Sequence, residues 1–402
     1  MLFTSTRSGH SKEVLKLQAD FDAFCTELFR KEMESSGTLD LHYTLLHPEN
    51  YGIDAEDAAL GTYRLSELIK SNHEIHDLKE KLSEFDPHML SDDQQILYDS
   101  LSERIETGLM AEGLELYDQP LAPTIGIQAQ LPILLAEYPF RTQQDIADYL
   151  HLLQDLPRYF SDLIALEQEK SRQGVFQNDL AVDGIIRQCS AFLADADTPE
   201  SHLLHTVFQN KLQASSLFSE AERNLCLQTH KKLLTSCVFP AYRSLSDALS
   251  SLRGKGTQNA GGLSRQEDGL SYYAYLLRSR VGVNASPEEL TRLLTQQLAD
   301  QCAEMQIILD QNPSLSLSEQ ALVLPFSTPE EMLADLQNAV SEDFPVLSGI
   351  AYEVKTVDDS LKDFFKPRLL SHPTYGYRNP QCDLHKSGCR LPGPGAFYHT
   401  GT

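Results

Sequence analysis

Apolar residues recur at intervals of three and four along most of this chain, the spacing that places them on one face of an α-helix. The pattern therefore predicts a body built mainly of helices. Cap chemistry marks three helix starts, at Thr142, Ser286 and Thr328, where a hydroxyl residue precedes an acidic residue by three positions. Further helices are predicted at 11–34, 60–85, 91–112, 180–194, 199–214, 219–236, 239–253 and 267–281.

Prolines and glycines refine the bounds of these helices. Proline at the first helical position follows Ser286, and the helix that starts there is predicted to end near Leu309. The helix that starts after Thr142 is expected to be divided at Pro157, because an internal proline removes a hydrogen bond and clashes with the preceding turn. Gly174 lies where a glycine would end the second half of that helix.

Two segments depart from the helical pattern. Residues 350–357 alternate, with Ile350, Tyr352 and Val354 on one face, which predicts a short β element near the end of an otherwise α-helical chain. Residues 251–262 are rich in glycine and hydrophilic, which predicts an exposed loop. The Gly-x-Gly in this loop follows no strand and precedes no Gly-Lys-Ser/Thr, so we interpret it as a loop rather than a phosphate cradle.

Composition excludes several classes of protein. The 402 residues include 33 basic and 58 acidic side chains, a net charge of −25 that argues against binding to nucleic acid. No run of 18 apolar residues predicts a membrane span, and the first residues lack the apolar core of a signal peptide. Seven scattered cysteines do not form a disulfide framework. As encoded, the protein is expected to be soluble and cytoplasmic.

Two histidine pairs are candidates for metal binding. His73 and His76 have i, i+3 spacing with a glutamate between them, and His202 and His205 have the same spacing beside Glu200. Zinc hydrolases instead place two histidines at i and i+4, in the pattern His-Glu-x-x-His. Such pairs on a polar helix are more often solvated side chains, and this interpretation is favoured over metal binding for both.

Other chemical signals in the body are weak. The sequence contains no Gly-x-Ser-x-Gly elbow, and the aromatic group at Tyr272, Tyr273 and Tyr275 has the spacing of a helix that packs into a core. Five cysteines lie in apolar helical settings and are expected to be buried structural thiols. They are Cys25, Cys189, Cys226, Cys237 and Cys302. We therefore assign no catalytic, cofactor-binding or metal-binding residue.

Several strings, taken together, resemble the bacterial family known as domain of unknown function 885 (DUF885), in the zincin-like metallopeptidase clan. The resemblance covers nearly all of residues 20–365, with residues 1–19 as an unmatched N-terminal extension. It implies a multi-helix zincin-like (gluzincin-type) body. The strings are Thr38–Leu45, Glu49, Tyr51–Ile53, Gly126–Tyr138, Asp145–Leu150, Pro157–Phe160, Glu169–Ser171, Tyr272–Tyr273, Ser286–Leu290, Tyr352–Lys355 and Ser360–Leu361.

The family pattern continues, after the last of these strings, with a strand-rich stretch and then a His-Glu zinc helix, from which this chain departs at Phe365. For the residues from Phe365 onward, codons can be chosen that encode this strand-rich stretch when the reading frame is shifted by one nucleotide. We therefore expect 366–402 to be an out-of-frame, disordered tail. Its potential metal ligands would then result from the shifted frame and have no role. The alternative is a zinc-binding tail, which the Cys-x6-Cys spacing disfavours. These ligands are His372, His385, His399, Cys382 and Cys389.

Two function classes follow. The resemblance implies a truncated zinc metallopeptidase-like hydrolase, inactive as encoded, because the metal-binding helix is missing from this chain. Zinc and a peptide or other small substrate are expected only for full-length relatives, in which a glutamate would activate metal-bound water. The alternative is a non-enzymatic α-helical binding or scaffold protein, whose charge favours basic partners. A longer upstream frame with an export leader would place the parent protein outside the cytoplasm.

Overall fold

The computed structural model describes residues 4–53, 58–123, 125–313, 325–341, 343–344 and 354, of which 4–11 and 257–260 are described by their backbone alone. The elements in these ranges are α-helices and short helical turns, in agreement with the predicted mainly α fold. The β element predicted at 350–357 lies outside the described residues, except for Val354. The α-helices are α1 (Thr4–Ser35), α2 (Thr38–Thr44), α3 (Leu65–Ser83), α4 (Asp92–Leu109), α5 (Ile127–Glu137), α6 (Gln143–Arg172), α7 (Asp179–Phe192), α8 (Leu203–Ala214), α9 (Glu220–Leu233), α10 (Phe239–Ser251), α11 (Gly269–Leu276), α12 (Pro287–Gln311) and α13 (Pro329–Val340).

The chain divides into two compact units, with the boundary between Tyr272 and Tyr273. In the first unit, α6 packs against α9 and α10, and its apolar face lies in the large core. A smaller cluster in the same unit joins α1, α3 and α4 through Phe21, Leu82 and Leu101. The second unit contains α12 and α13.

All three predicted capping boxes are present. In each box, the hydroxyl of Thr142, Ser286 or Thr328 accepts a hydrogen bond from the backbone N–H three residues on, and the acidic side chain at that position accepts one from the cap N–H. Serine residues at 91 and 219 form two further boxes. Each box satisfies backbone donors that would otherwise lack a partner, which fixes where the helix begins.

The expected division of α6 at Pro157 is wrong, because α6 continues through this residue as one helix. Pro157 lies on the exposed side of the helix, whereas Leu156 and Phe160 are fully buried on the other side. Packing along the whole apolar face therefore outweighs the single hydrogen bond that the proline removes. The predicted stop at Gly174 is confirmed: its φ is +76°, and Val175 N donates to Lys170 O at 2.9 Å.

Two predicted helices end in a wider turn than their pattern indicated. The helix predicted at 219–236 is α9 followed by a π-helical turn, Leu234–Val238, and the one predicted at 267–281 is α11 followed by another, Leu277–Val281. The first of these turns comes just before Pro240, whose ring would clash with the carbonyl four residues earlier in a regular α-helix.

Candidate functional site

The first predicted histidine pair lies on the surface of α3. His76 Nε2 is 3.0 Å from one carboxylate oxygen of Glu112, and His73 Nε2 is 3.7 Å from the other. All three side chains are exposed. The contact is one between exposed side chains, and such a surface pair contributes at most about 1 kcal/mol to stability.

The interpretation as solvated side chains is wrong for the second pair, because His202 and His205 are both buried. His202 acts as the N-cap of α8. Its Nε2 donates to Phe192 O at 3.0 Å, and its Nδ1 accepts from the backbone N–H of Leu204 at 3.3 Å. A carbonyl can only accept and a backbone N–H can only donate, so these partners fix the tautomer. Both ring nitrogens are occupied by the backbone, which leaves neither for a metal ion.

His205 faces a third buried histidine, His230, which belongs to neither candidate pair. Its Nδ1 is 3.1 Å from Nδ1 of His230 on α9, and Nε2 of His230 is 3.2 Å from the hydroxyl of Tyr149 on α6. The ring of Phe208 stacks on His230 with 4.2 Å between centroids. Burial lowers the pKa of all three histidines, 202, 205 and 230, and that of His230 most clearly. The signal for His230 is its position between Leu227 and Leu234 on an apolar helical face.

A second buried polar group joins α2 to the start of α6. The ring of His42 stacks on that of Tyr138 at 4.0 Å, and its Nε2 donates to Pro139 O at 2.9 Å. Its Nδ1 is 3.7 Å from a carboxylate oxygen of Asp145, the residue that completes the capping box of α6. Burial, reinforced by the charge of Arg141, lowers the pKa of His42. The arrangement cross-links two helices and holds the histidine neutral.

Asp40 has the most perturbed carboxyl group near this region. Burial raises its pKa to about 7. Burial also raises the pKa of Tyr63 and Tyr159, and the charge of Asp40 adds a smaller contribution to both. The two tyrosine rings meet edge to face at 5.7 Å. A perturbed carboxyl group is typical of functional sites, but it also occurs in structural clusters.

The shift in the pKa of Asp40 corresponds to about 4 kcal/mol, and because Asp40 is only half-buried we expect Asp40→Asn to stabilise the protein at pH 8 by about half of that, ~2 kcal/mol. The pKa is raised in the folded state, so ionisation costs stability as the pH rises from the unfolded value of 3.8 towards about 7. Urea unfolding at pH 8 and pH 5 measures the effect, which should fall to less than half at pH 5. Asp77→Asn, on the exposed face of α3, is the control. An equal gain at both pH values would contradict this account.

An ion pair lies fully inside the first unit, on α6. Lys170 Nζ is 2.9 Å from one carboxylate oxygen of Glu167 and also donates to the carbonyl of Asp118. The other carboxylate oxygen of Glu167 is buried and has no hydrogen-bond partner. The arrangement holds the loop before α5 against the C-terminal end of α6.

A groove of about 480 Å³ lies between α6 and the end of α9. Lys232 provides a cationic group and His151 an imidazole ring at its rim, and Ser236 Oγ is 3.5 Å from Cys237 Sγ. None of its lining residues is a carboxylate, so it offers no carboxyl group for acid–base chemistry or for binding a metal ion. The lining residues are Ala147, Leu150, His151, Gln154, Thr229, Lys232, Leu233, Ser236 and Cys237.

The glycines of the predicted loop have structural roles. Gly254 has φ +79°, and a Cβ on the buried Gly256 would lie 1.9 Å from the carbonyl oxygen of Gln177. These positions require glycine for backbone geometry and close packing. The prediction of an exposed loop at 251–262 is wrong in part, because Gly256 is buried and Thr257–Arg265 forms a 3₁₀ helix. The predicted burial of the cysteines is confirmed for Cys25 and Cys189, where burial raises both thiol pKa values to about 12. It is wrong for Cys302, which is exposed on α12.

The described residues do not fit a zinc ion. Within the ranges given above, no group of three His, Cys, Asp or Glu side chains is placed to hold a metal. The candidate ligands of the tail lie outside the described residues; they are His372, His385, His399, Cys382 and Cys389. In the same described part of the chain, no helix has the length and apolarity needed to cross a membrane.

Comparisons with known proteins agree with the fold and identify the family. No functionally curated protein matches the chain. A crystal structure described as "the putative lipoprotein from Colwellia psychrerythraea" superposes with a TM-score of 0.66 at 15% identity, covering 80% of this chain and 59% of that one. The two proteins share a fold, and this chain spans 59% of the other's length. A sequence model described as "Bacterial protein of unknown function (DUF885)" matches residues 48–381, so the chain belongs to the DUF885 family, as its motifs indicated.

Proposed function

We propose that this chain is an incomplete member of a zinc metallopeptidase-like hydrolase family, in which the helical body is a scaffold for a catalytic part that this chain lacks. On this proposal the chain as encoded is catalytically inactive. The observation that carries the proposal is an apolar face on α12 that no described residue covers.

Helix α12 has 25 residues, and none of them is buried. Leu293, Leu294 and Leu298 near its start are each 50–62% exposed, and Met305, Ile307 and Ile308 near its end are 52–54% exposed. Helices in water gain most of their stability by packing an apolar face, and monomeric proteins rarely expose a continuous apolar stripe of this length. The face has the composition of a helix that packs against further protein.

The comparison with the Colwellia protein supports the same proposal. This chain spans 59% of that chain, so the relative has room for elements beyond those that superpose. The resemblance to zincin-like metallopeptidases implies that such elements include a His-Glu helix, with two histidines and a carboxylate on zinc. The buried histidines at positions 202, 205 and 230 are held by backbone groups or by one another, which leaves the zinc chemistry to residues outside the described body.

Metal analysis and a peptidase assay on the purified 402-residue protein test the proposal. We expect substoichiometric zinc and no hydrolysis of a fluorogenic peptide library above the buffer rate. A DUF885 protein that contains the His-Glu helix, prepared in parallel, serves as the positive control. One zinc per chain together with chelator-sensitive hydrolysis would overturn the proposal.

The proposed cause of incompleteness, a shifted reading frame after Phe365, has a separate test. The family match continues to position 381, so it includes residues 366–381 and weighs against a shift at Phe365. The nucleotide sequence is the direct measurement. We expect that removing one base near codon 365 opens a frame that encodes a His-Glu helix within about a hundred codons. If no such helix appears, the frameshift is wrong, although the inactivity of the chain would still stand.

The alternative function is that of a non-enzymatic α-helical binding or scaffold protein. The same exposed face of α12 favours it, since an acidic protein with such a face could bind a basic, amphipathic partner. A stoichiometric complex with one defined partner, isolated at native expression levels, would favour this alternative over an incomplete enzyme.

We also propose that the parent protein is exported, since the Colwellia relative is described as a lipoprotein. The parent's true start codon, mapped by mass spectrometry of the protein's N-terminal peptide in its native cells, tests this. A start at Met1 with no leader would contradict export.

A further inference from the structure

Helices α8 and α9 are joined to α6 by a chain of polar groups inside an apolar interface. The chain runs from the hydroxyl of Tyr149 on α6, through His230 on α9, to His205 on α8. Tyr149 is 1% exposed and His230 is fully buried, whereas His205 at the end of the chain is 7% exposed. The ring of Phe208 lies flat against both Tyr149 and His230.

The hydrogen bonds of this chain have one direction that satisfies every member. Two Nδ1 atoms 3.1 Å apart can bond only if one carries a proton and the other does not. If His230 donates from Nδ1, its Nε2 can accept from the hydroxyl of Tyr149. Among the described residues, this Nε2 is the hydroxyl's single polar partner. In the opposite direction the buried hydroxyl of Tyr149 would have no acceptor, at a cost of about 1–3 kcal/mol.

This direction makes the chain dependent on neutral histidines. When His205 takes up a proton, its Nδ1 can no longer accept from His230, and a positive charge enters an apolar interface. A proton on His230 likewise removes the acceptor for Tyr149. Protonation at either site therefore breaks one of the two links between the three helices.

The surrounding charges do not offset this cost. Glu200 faces His205 and raises its pKa, but Lys231 lowers it, and these two residues form an ion pair with each other. Asp195, beyond the end of α7, opposes the lowering of the pKa of His202 by burial but does not cancel it. His205 and His202 both lower the pKa of His230 further. No carboxylate among the described residues contacts His230, so its imidazolium form has no counter-ion in the interface.

We infer that the Tyr149–His230–His205 chain is an acid-sensitive latch, which holds α8 and α9 against α6 at neutral pH and releases them when the histidine pair is protonated. The pKa values are lowered in the folded state, so the stability from this chain is complete above the unfolded value of 6.5 and decreases as the pH falls below it. Release would also open the groove that contains His151 and Lys232, because that groove lies at the solvent side of the α6–α9 interface.

Hydrogen exchange on the full chain, corrected for the intrinsic pH dependence of exchange, tests this inference. Between pH 7.5 and pH 5.5 we expect the protection of α8 and α9 to fall by at least about tenfold, with little change in α3 and α4. In His230→Gln, which keeps a donor and an acceptor, His205 is the one member of the pair that still titrates, so the fall should be clearly smaller than in the unmodified protein. His151→Gln, an exposed histidine on α6, is the matched control and should behave like the unmodified protein.

An independent measurement covers the case in which His230→Gln does not fold. NMR titration of the histidine ring signals in the unmodified protein should show two buried histidines that remain neutral well below pH 6.5. Ordinary titration of His205 and His230 near 6.5 would overturn the inference. So would an equal loss of protection in every helix, or the same loss in His230→Gln as in the unmodified protein.

Discussion

Lys170→Met is expected to lower the free energy of unfolding by about 3–5 kcal/mol. Lys170 is 0% exposed and Glu167 is 1% exposed, so the substitution leaves a carboxylate inside the first unit without its counter-ion. One oxygen of that carboxylate already has no hydrogen-bond partner, which leaves no second interaction to compensate for the loss. Urea unfolding at pH 7.5 measures the change.

Two further variants show whether the cost comes from the unpaired charge. Glu167→Leu combined with Lys170→Met removes both charges and is expected to recover most of the loss, because an apolar pair of similar volume often replaces a buried ion pair at little cost. Arg172→Met removes the exposed partner of Glu169 one turn away and should cost less than about 1 kcal/mol. If Lys170→Met costs no more than Arg172→Met, the buried pair does not stabilise the fold.

Helix starts were predictable because their determinants are local. The boxes at 142, 286 and 328 each depend on two side chains three positions apart, which a sequence shows directly. The continuity of α6 across Pro157 was not predictable in the same way. It depends on what the remaining residues of a 30-residue helix pack against, and those partners come from distant parts of the chain.

The buried histidine chain shows the same limit for the candidate site. Tyr149 and His230 are 81 positions apart, so no spacing rule brings them together. His202 and His205 were considered as metal ligands because their spacing resembles a chelating pair. The fold instead directs one ring to the backbone and the other to His230, and these contacts are tertiary.

Several residues of the strings that resemble DUF885 have structural roles in the first unit. Asp40, His42, Tyr138, Tyr149 and Lys170 all lie within strings that carry the resemblance to DUF885. In the structure these residues form buried polar contacts between helices of the first unit, or lie within its core. These strings therefore specify how the helical body packs, which explains why they identify the family without revealing a reaction.

We expect the exposed apolar face of α12 to make the protein self-associate, and replacement of Leu294, Leu298 and Met305 together by glutamine to yield monomer. These side chains are 52–62% exposed on α12, and glutamine is a good helix former, so the apolar face is lost while the helix is retained. The melting temperature should change little because none of the three residues is buried. Size-exclusion chromatography with light scattering, together with binding of a fluorescent apolar dye, measures the result.

A matched variant on the same helix separates the apolar face from helix content. Arg292→Gln, Thr295→Gln and Glu304→Gln replace exposed polar residues of α12 and should leave self-association unchanged. Loss of the folded state in the apolar variant would show that these side chains pack within the chain, and the proposal of an uncovered face would fail. Monomer formation without loss of stability would instead show that the face serves contacts outside this chain, as a helical scaffold separated from its catalytic part requires.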